Sequence, residues 1–208
     1  MNIIAAVYSD FGIGINGTQP IVIPEDRENF AKLTKNGVII AGRKTYQGFP
    51  NQRPQGGRDE GQAYYGSPLP GRRNIVLSRD RNFIADGACV VHSIEEAMDE
   101  ISDYDQDKVF VVGGGDIYRQ FLQFCTNAYI TKIAAIPRSD TFFPNLDKLP
   151  EWSIVYESPS YDHVLRSVNL LPLLHKSASK THEACRIKYS FVLYRNSNPR
   201  SKKEQVYV

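Results

Sequence analysis

Apolar residues fall into short, nearly unbroken runs: Asn2–Tyr8 (NIIAAVY), 37–41 (GVIIA), 74–77 (NIVL), 88–91 (ACVV) and 108–112 (KVFVV). Runs of that length, rich in β-branched residues, predict strands covered on both faces. Between them the spacing turns helical, at 24–33, Arg43–Gln47, 93–101 and 116–124. Pro24 stands where a helix favours proline, at its first position. Ser93 followed by Glu96 has the pattern of a capping box. Strand–helix alternation of this kind predicts an α/β fold with a mostly parallel central sheet, right-handed crossovers and flanking helices.

The last third changes character. Segments 129–135, 152–157 and 186–195 have strand propensity without helices between them. They are expected to add antiparallel or edge pairing, for about eight strands in all, with an antiparallel strand at the C-terminal end. Two segments fit no compact plan. Residues 51–67 (NQRPQGGRDEGQAYYGS) are rich in Gly, Gln and charge and predict a long surface loop. Residues 158–183 contain VLRSVNLLPLLHK, broken by Pro172, and read as an extended loop with room for a helical turn. The chain of 208 residues suits one domain over 1–196 with a polar, frayed tail at 197–208.

Composition narrows the class. A net charge of +2 is close to balance and implies neither a nucleic-acid nor a membrane partner. No run approaches the roughly 18 apolar residues that span a bilayer, and MNIIAAVYSDFG lacks the basic start of a signal peptide. The three cysteines, at 89, 125 and 185, have no metal-like spacing, and no metal is expected. Cys89 and Cys125 lie in apolar runs, as small buried thiols do. The expectation is a reducing, cytoplasmic compartment and a monomer or weak homo-oligomer.

Three strand ends carry phosphate chemistry. In VFVVGGGDIY, from Val109 to Tyr118, a strand runs into three glycines and then a helix. Glycines let a ligand approach the backbone, and a fresh helix start offers free N–H groups. The spacing is not GxGxxG, so the fold is not the usual Rossmann one. Gly42–Thr45 (GRKT) and Ser78–Arg79 repeat the theme after their own strands. Three such ends suit a dinucleotide with an additional phosphate, hence NADPH over NADH. A fourth element is IGINGTQPIVIPEDRENF, where Gly14 and Gly17, with Gly12 just ahead of the segment, punctuate a loop before Pro24. Glu25 and Glu28 read as ordinary first-turn acids. Asp26 lies four residues before Phe30, so the two share a helix face. A carboxylate beside an aromatic in a cleft can bind the N–H/NH₂ edge of a heterocycle.

Taken in order, IIAAV, GIGINGTQP, PEDRENF, GRKTY, LPGRRNIVLSR, VVGGGDIY and DTFFP resemble the dihydrofolate reductase family from residue 2 to about 144, and YSFVLYRN resembles its terminal strand. The resemblance implies NADPH-dependent reduction of 7,8-dihydrofolate to tetrahydrofolate, a step of one-carbon metabolism and nucleotide biosynthesis. Asp26 matches the pterin-anchoring acid and Thr131 the threonine that supports it. Ile4, Ala5 and Ala6 match the first strand's pterin side, Phe30 an aromatic against substrate, and Arg72 the arginine for the glutamate α-carboxylate. Gly42, Arg43, Lys44, Thr45, Leu77, Ser78 and Arg79 match the adenosine and phosphate contacts. Gly113, Gly114, Gly115, Asp116 and Ile117 match the pyrophosphate turn, with Val112 and Tyr118 flanking the nicotinamide. Gly14 and Asn16 fall in the loop that this family closes over the nicotinamide, and Ala6 and Ile13 match further cofactor contacts.

Two positions depart from the pattern. The family carries Pro-Trp after that loop, whereas here Pro20 is followed by Ile21 and the sole tryptophan is Trp152. Isoleucine has no N–H to hold a water near the acid. Arg27 stands where an apolar substrate contact is usual, so it is expected at the rim or against the substrate's benzoyl-glutamate end. The alternatives are a related reductase of another pterin or of a riboflavin-pathway pyrimidine, and a non-catalytic binding protein with the same fold.

Overall fold

The computed structural model describes residues 1–49, 66–165 and 185–201. Its elements begin with β1 (Asn2–Tyr8), β2 (Gly12–Gly14), α1 (Pro24–Thr34), β3 (Val38–Gly42), α2 (Arg43–Gln47), β4 (Arg73–Leu77) and β5 (Cys89–Val91). There follow α3 (Ile94–Glu100), β6 (Val109–Gly113), α4 (Gly115–Phe121) and β7 (Asn127–Ile133). The last are β8 (Thr141–Phe142), β9 (Trp152–Glu157), β10 (Tyr161–Leu165) and β11 (Cys185–Asn196).

Nine strands form one sheet, in the order β10-β11-β7-β1-β6-β3-β4-β5, with β9 also paired to β11. From β7 to β5 every neighbouring pair is parallel. The long β11 runs antiparallel to β7 and carries β9 and β10 along the two halves of its other edge. Apolar runs buried on both faces make the inner strands: all five residues of β3 and of β6 are buried. Period-two alternation then sorts them. Ile3, Ala5, Val7, Val38, Ile40, Val109 and Val111 pack with Ile117 and Phe121 of α4. Ile4, Ile39, Ala41, Phe110 and Val112 pack on the opposite face against Phe30 and Leu33 of α1.

Most predicted elements are present, with ends shifted by one or two residues. Helix α4 stops at Phe121 and tightens into a 3-10 turn over Leu122–Phe124. The capping box at α3 is a variant. Ser93 Oγ accepts from Glu96 N at 3.1 Å, but the Glu96 carboxylate reaches His92 N, one residue before the cap, at 2.7 Å. Two readings need correction. The segment after Ser158 is not loop throughout, since β10 pairs with Tyr189 and its neighbours; its exposed residues hide the alternation that marks a half-buried strand. Gly12–Gly14 is not free loop either, because it pairs with β8. The predicted loop lies outside the described residues at 51–65, as do 166–184 and 202–208. Cys125 is fully buried as expected, whereas Cys89 is only half-buried beside Arg73 and Glu100.

Trp152 begins β9, is 6% exposed, and belongs to the main core cluster. Its emission is therefore expected to be blue-shifted in the native protein. In denaturant it should move red in one step, together with the loss of helical circular dichroism. Two separate transitions would show that the C-terminal strands unfold on their own.

Candidate active site

Helix α1 starts at Pro24 behind Ile23, which offers no capping side chain, and Asp26 is its third residue. Asp26 N donates to Ile23 O at 3.1 Å, which fixes where the side chain emerges. Its Oδ1 accepts from Thr131 Oγ1 at 2.5 Å. Oδ2 has no hydrogen-bond partner among the described residues. Thr131 is buried on β7, in register with Ala6 of β1 and Phe191 of β11. Burial pushes the Asp26 carboxyl above the usual carboxylate range, while the Thr131 hydrogen bond and the Arg27 charge pull part of the way back. Arg27 itself is exposed at the rim.

The surrounding face is apolar. Ile4, Val112 and Phe30 share one cluster there, and Tyr118 OH donates to Ile4 O at 2.8 Å. Burial, and then the Asp26 charge, raise the Tyr118 phenol far above its ordinary value, so it stays a donor. Of the three strand residues expected here, Ile4 packs against α1, and Ala6 lies on the same face of the strand in the cluster of Ile21 and Ile23. Ala5 does not: its side chain belongs to the opposite cluster, because side chains along a strand alternate.

Ile21, where the resemblance leads one to expect a tryptophan, is fully buried among Tyr8, Ile23, Ile133, Ile187 and Tyr189. Tyr8 supplies what pins it. The Tyr8 hydroxyl accepts from Ile21 N at 2.9 Å and lies 3.2 Å from Ile21 O, to which it donates. Burial pushes the Tyr8 phenol up to about 12, so the hydroxyl keeps its proton. Tyr8 thus ties β1 to the segment that leads into α1 and Asp26. In the sequence Tyr8 carries no sign of this role, for it looks like one more strand aromatic.

Arg72 is prepared in the same way. Its Nε donates to Thr34 Oγ1 and its Nη1 to Pro70 O, both at 2.7 Å, and its Nη2 donates to Ala31 O at 3.1 Å. The guanidinium lies over Phe30, 5.9 Å from the ring centre. A guanidinium has five N–H donors, so one on each terminal nitrogen remains free. No carboxylate pairs with Arg72 among the described residues. The turn before Arg72 is held by Asn74, 3% exposed, which binds Leu69 N, Leu69 O and Arg72 O at 2.8, 2.9 and 2.9 Å. Asn74 was also missed in the sequence.

The three glycine- or cation-bearing strand ends meet because β6, β3 and β4 are parallel neighbours. Close packing joins them. A Cβ on Gly42 would lie 2.8 Å from Ile117 Cγ1, one on Gly114 3.3 Å from Thr45 Oγ1, and one on Gly115 3.0 Å from Phe142 O. Gly113 has φ +116°, in the region that favours glycine. Ser78 is buried and its Oγ accepts from Asp80 N at 3.2 Å, while Leu77 beside it is half-buried against the main core. Arg43 pairs with Asp80 at 3.4 Å and lies over Phe83. Lys44 and Arg79 are exposed and form no ion pair among the described residues. Asp116, also exposed, pairs with Arg119. This is a bare backbone cradle with free cations beside it, and it fits a dinucleotide phosphate.

The β2–β8 ribbon completes the edge. Ile13 packs against the main core, and a tight turn closes beyond it through Ile15 N–Thr18 O at 2.9 Å and Thr18 N–Ile15 O at 3.0 Å. Asp140 Oδ2 accepts from Asn16 N at 2.8 Å, and this bond, with that from Thr141, holds the Asp140 carboxyl below its usual range. Asp140 belongs to DTFFP, where the sequence suggested no role for it.

Two cavities stand apart from Asp26. One of about 190 Å³ lies between Tyr8, Lys132 and Lys188, and one of about 300 Å³ between Asn36, Arg73 and Lys108. Neither collects the acid, the aromatic and the strand ends, so chemistry rather than hollow volume marks the site. Among the described residues no three His, Cys, Asp or Glu side chains are grouped to hold a metal, and no helix is long and apolar enough to cross a membrane.

Tyr8→Phe leaves Ile21 N and O without their partner in a buried setting. It should lower the unfolding free energy by about 1–3 kcal/mol while the protein still folds, as read from denaturant titration. A change of under a few tenths would mean that Tyr8 serves as packing alone.

Comparison with known proteins gives one consistent result. A family model described as dihydrofolate reductase matches residues 1–61 and 57–167. A dihydrofolate reductase of Mycobacterium tuberculosis is 35% identical over 139 residues, 65% of this chain and 74% of its own. One from Buchnera aphidicola is 32% identical over 163 residues, 78% of this chain and 88% of its own. Among solved structures, dihydrofolate reductase from Enterococcus faecalis, complexed with NADP(H) and RAB-propyl, superposes with a TM-score of 0.67. That pair is 25% identical and covers 94% of this chain and 95% of the other.

Proposed function

The chain belongs to the dihydrofolate reductase family, and from that membership we propose that it reduces 7,8-dihydrofolate to tetrahydrofolate, with hydride delivered to C6 and a proton to N5. The observation that carries this reading is the half-buried Asp26, held by Thr131 and raised in pKa, on an apolar face, with Arg72 braced on the same helix by Thr34 and Ala31 and keeping two N–H groups free. NADPH supplies the hydride when bound. We further propose that the protein works in a reducing cytoplasm, as a monomer or weak homo-oligomer.

The chain's own residues divide the remaining work. Asp26 offers Oδ2 and the second lone pair of Oδ1 to the heterocycle's N–H/NH₂ edge, and Thr131 fixes the carboxyl plane. Ile4, Phe30 and Val112 exclude water and orient the ring, as proximity demands. Arg72 presents its two free N–H groups to the substrate's α-carboxylate. Gly42, Thr45, Ser78 and the turn at Gly113–Gly115 would hold the dinucleotide, with Arg43, Lys44 and Arg79 on its phosphates and Ile13, Gly14 and Asn16 on its nicotinamide side. Asp26, being raised, keeps a proton available further toward neutral pH than a free aspartate does. Activity therefore falls as pH rises through the Asp26 pKa, in favour of the acidic side.

Asp26→Asn should lower turnover by about 10²–10⁴-fold at neutral pH, followed by loss of the reduced nicotinamide's absorbance. The same change should stabilise the fold. A carboxyl whose folded pKa is raised contributes stability below its unfolded pKa and loses it as pH rises through the folded one. An amide escapes that loss, so a higher melting temperature at neutral pH is expected. Native protein with no turnover of dihydrofolate anywhere from about pH 5 to 8 would overturn the function itself.

Arg72→Lys replaces a planar fork by a point charge. It should raise KM for dihydrofolate about 10–100-fold, the equivalent of about 1.5–3 kcal/mol for a charged hydrogen bond. A dihydropterin without the glutamate tail should show no such change. Equal effects on both substrates would remove Arg72 from tail recognition.

A further inference from the structure

The chain contains two Asn-Gly pairs, Asn16–Gly17 and Asn36–Gly37, and both asparagines have positive φ, 50° and 57°. Their glycine nitrogens differ. Gly37 N donates to Thr34 O at 3.1 Å, and a Cβ on Gly37 would come 2.5 Å from Lys108 O, so that peptide is engaged and crowded. Gly17 N has no acceptor among the described residues, and a Cβ there would meet nothing within 4 Å. Asn16 and Gly17 are both exposed, and the Asn16 side chain has no hydrogen-bond partner among the described residues.

We propose that Asn16 is a site of spontaneous deamidation, and that its modification loosens the loop from Asp140. The backbone nitrogen of Gly17 attacks Asn16 Cγ. The side-chain nitrogen leaves as ammonia, taking up the proton that Gly17 N gives to solvent, and a five-membered succinimide closes. Water then opens the ring at either carbonyl, leaving aspartate or isoaspartate at position 16. The sum is one water consumed and one ammonia released, with no change of oxidation state and no enzyme required. Glycine favours the step because no Cβ hinders the approach of its nitrogen.

Each product disturbs the same contact. Isoaspartate carries the main chain through the former side chain and adds a methylene between Ile15 and Thr18, so the two-bond turn no longer closes in its register. Aspartate adds a carboxylate next to Asp140, whose own carboxylate already accepts from Asn16 N at 2.8 Å. The groups facing that contact are Asp10 near Gly12 on the same ribbon, and Arg138, Ser139 and Thr141 on the segment around Asp140. The effect on activity rests on the function proposed above; the modification does not.

The test is to age the full-length protein in mildly alkaline buffer. Peptide masses are followed, and isoaspartate is labelled with a protein isoaspartyl methyltransferase and its methyl donor. The Asn16 peptide should gain the mass of an acid for an amide, and the methyl label, well before the Asn36 peptide. KM for NADPH should rise several-fold in the modified fraction. Asn16→Gln should suppress label and drift alike, since glutamine closes the larger ring far more slowly. Equal rates at Asn16 and Asn36, or an unmodified Asn16 in aged protein, would overturn the site. Full modification with unaltered kinetics would overturn the link to the loop. A protein inactive from the outset would count against the proposed function, while the mass readout would still decide the chemistry.

Discussion

A carboxyl placed in an apolar cleft is costly unless something donates to it, and most of the described site is arranged around that condition at Asp26. Its one side-chain donor among the described residues is the hydroxyl of Thr131, more than a hundred residues along the chain. The 2.5 Å bond exists only because β7 lies next to β1 in the register that puts Thr131 beside Ala6, and because α1 begins where Pro24 and Ile23 set it. Burial raises the acid's pKa and the hydroxyl restrains it. That balance is what the role proposed for Asp26, holding an N–H-bearing ring with a proton within reach, would call for.

The second constraint is parallel pairing. Three strand ends with glycines or cations would be scattered on any other topology. In the order β6-β3-β4 they lie side by side, and Gly42 against Ile117 and Gly114 against Thr45 lock two of the turns together. Small residues are needed there for packing between the turns, and the same absence of side chains would let the proposed dinucleotide approach the backbone.

The replaced tryptophan shows how the site adjusts. Ile21 brings no donor, and its side chain is turned wholly into the core, where the Tyr8 hydroxyl holds its backbone from both sides. Position 21 thus becomes a structural fastening of the segment before α1. Arg72 has a comparable arrangement, with Thr34, Ala31 and Pro70 taking three of its donors and Asn74 bracing the turn beneath.

Much of this was legible in the chain alone. Buried parallel strands announce themselves as unbroken β-branched runs, and helix starts as Pro24 or Ser93, since both signals arise from neighbours in sequence. The collinear motifs also named Asp26, Thr131, Arg72 and the glycine turn. What tertiary structure decided concerns partners distant in sequence or faces that a run of apolar letters cannot reveal. Ala5 faces away from Asp26 because alternation is invisible when both faces are apolar. Strand β10 was hidden by its exposed residues, and the roles of Tyr8, Asn74 and Asp140 come from hydrogen bonds to backbone atoms, which leave no mark on the partner's identity. Local preference writes the elements into the sequence, but only the folded register determines which lone polar group meets which.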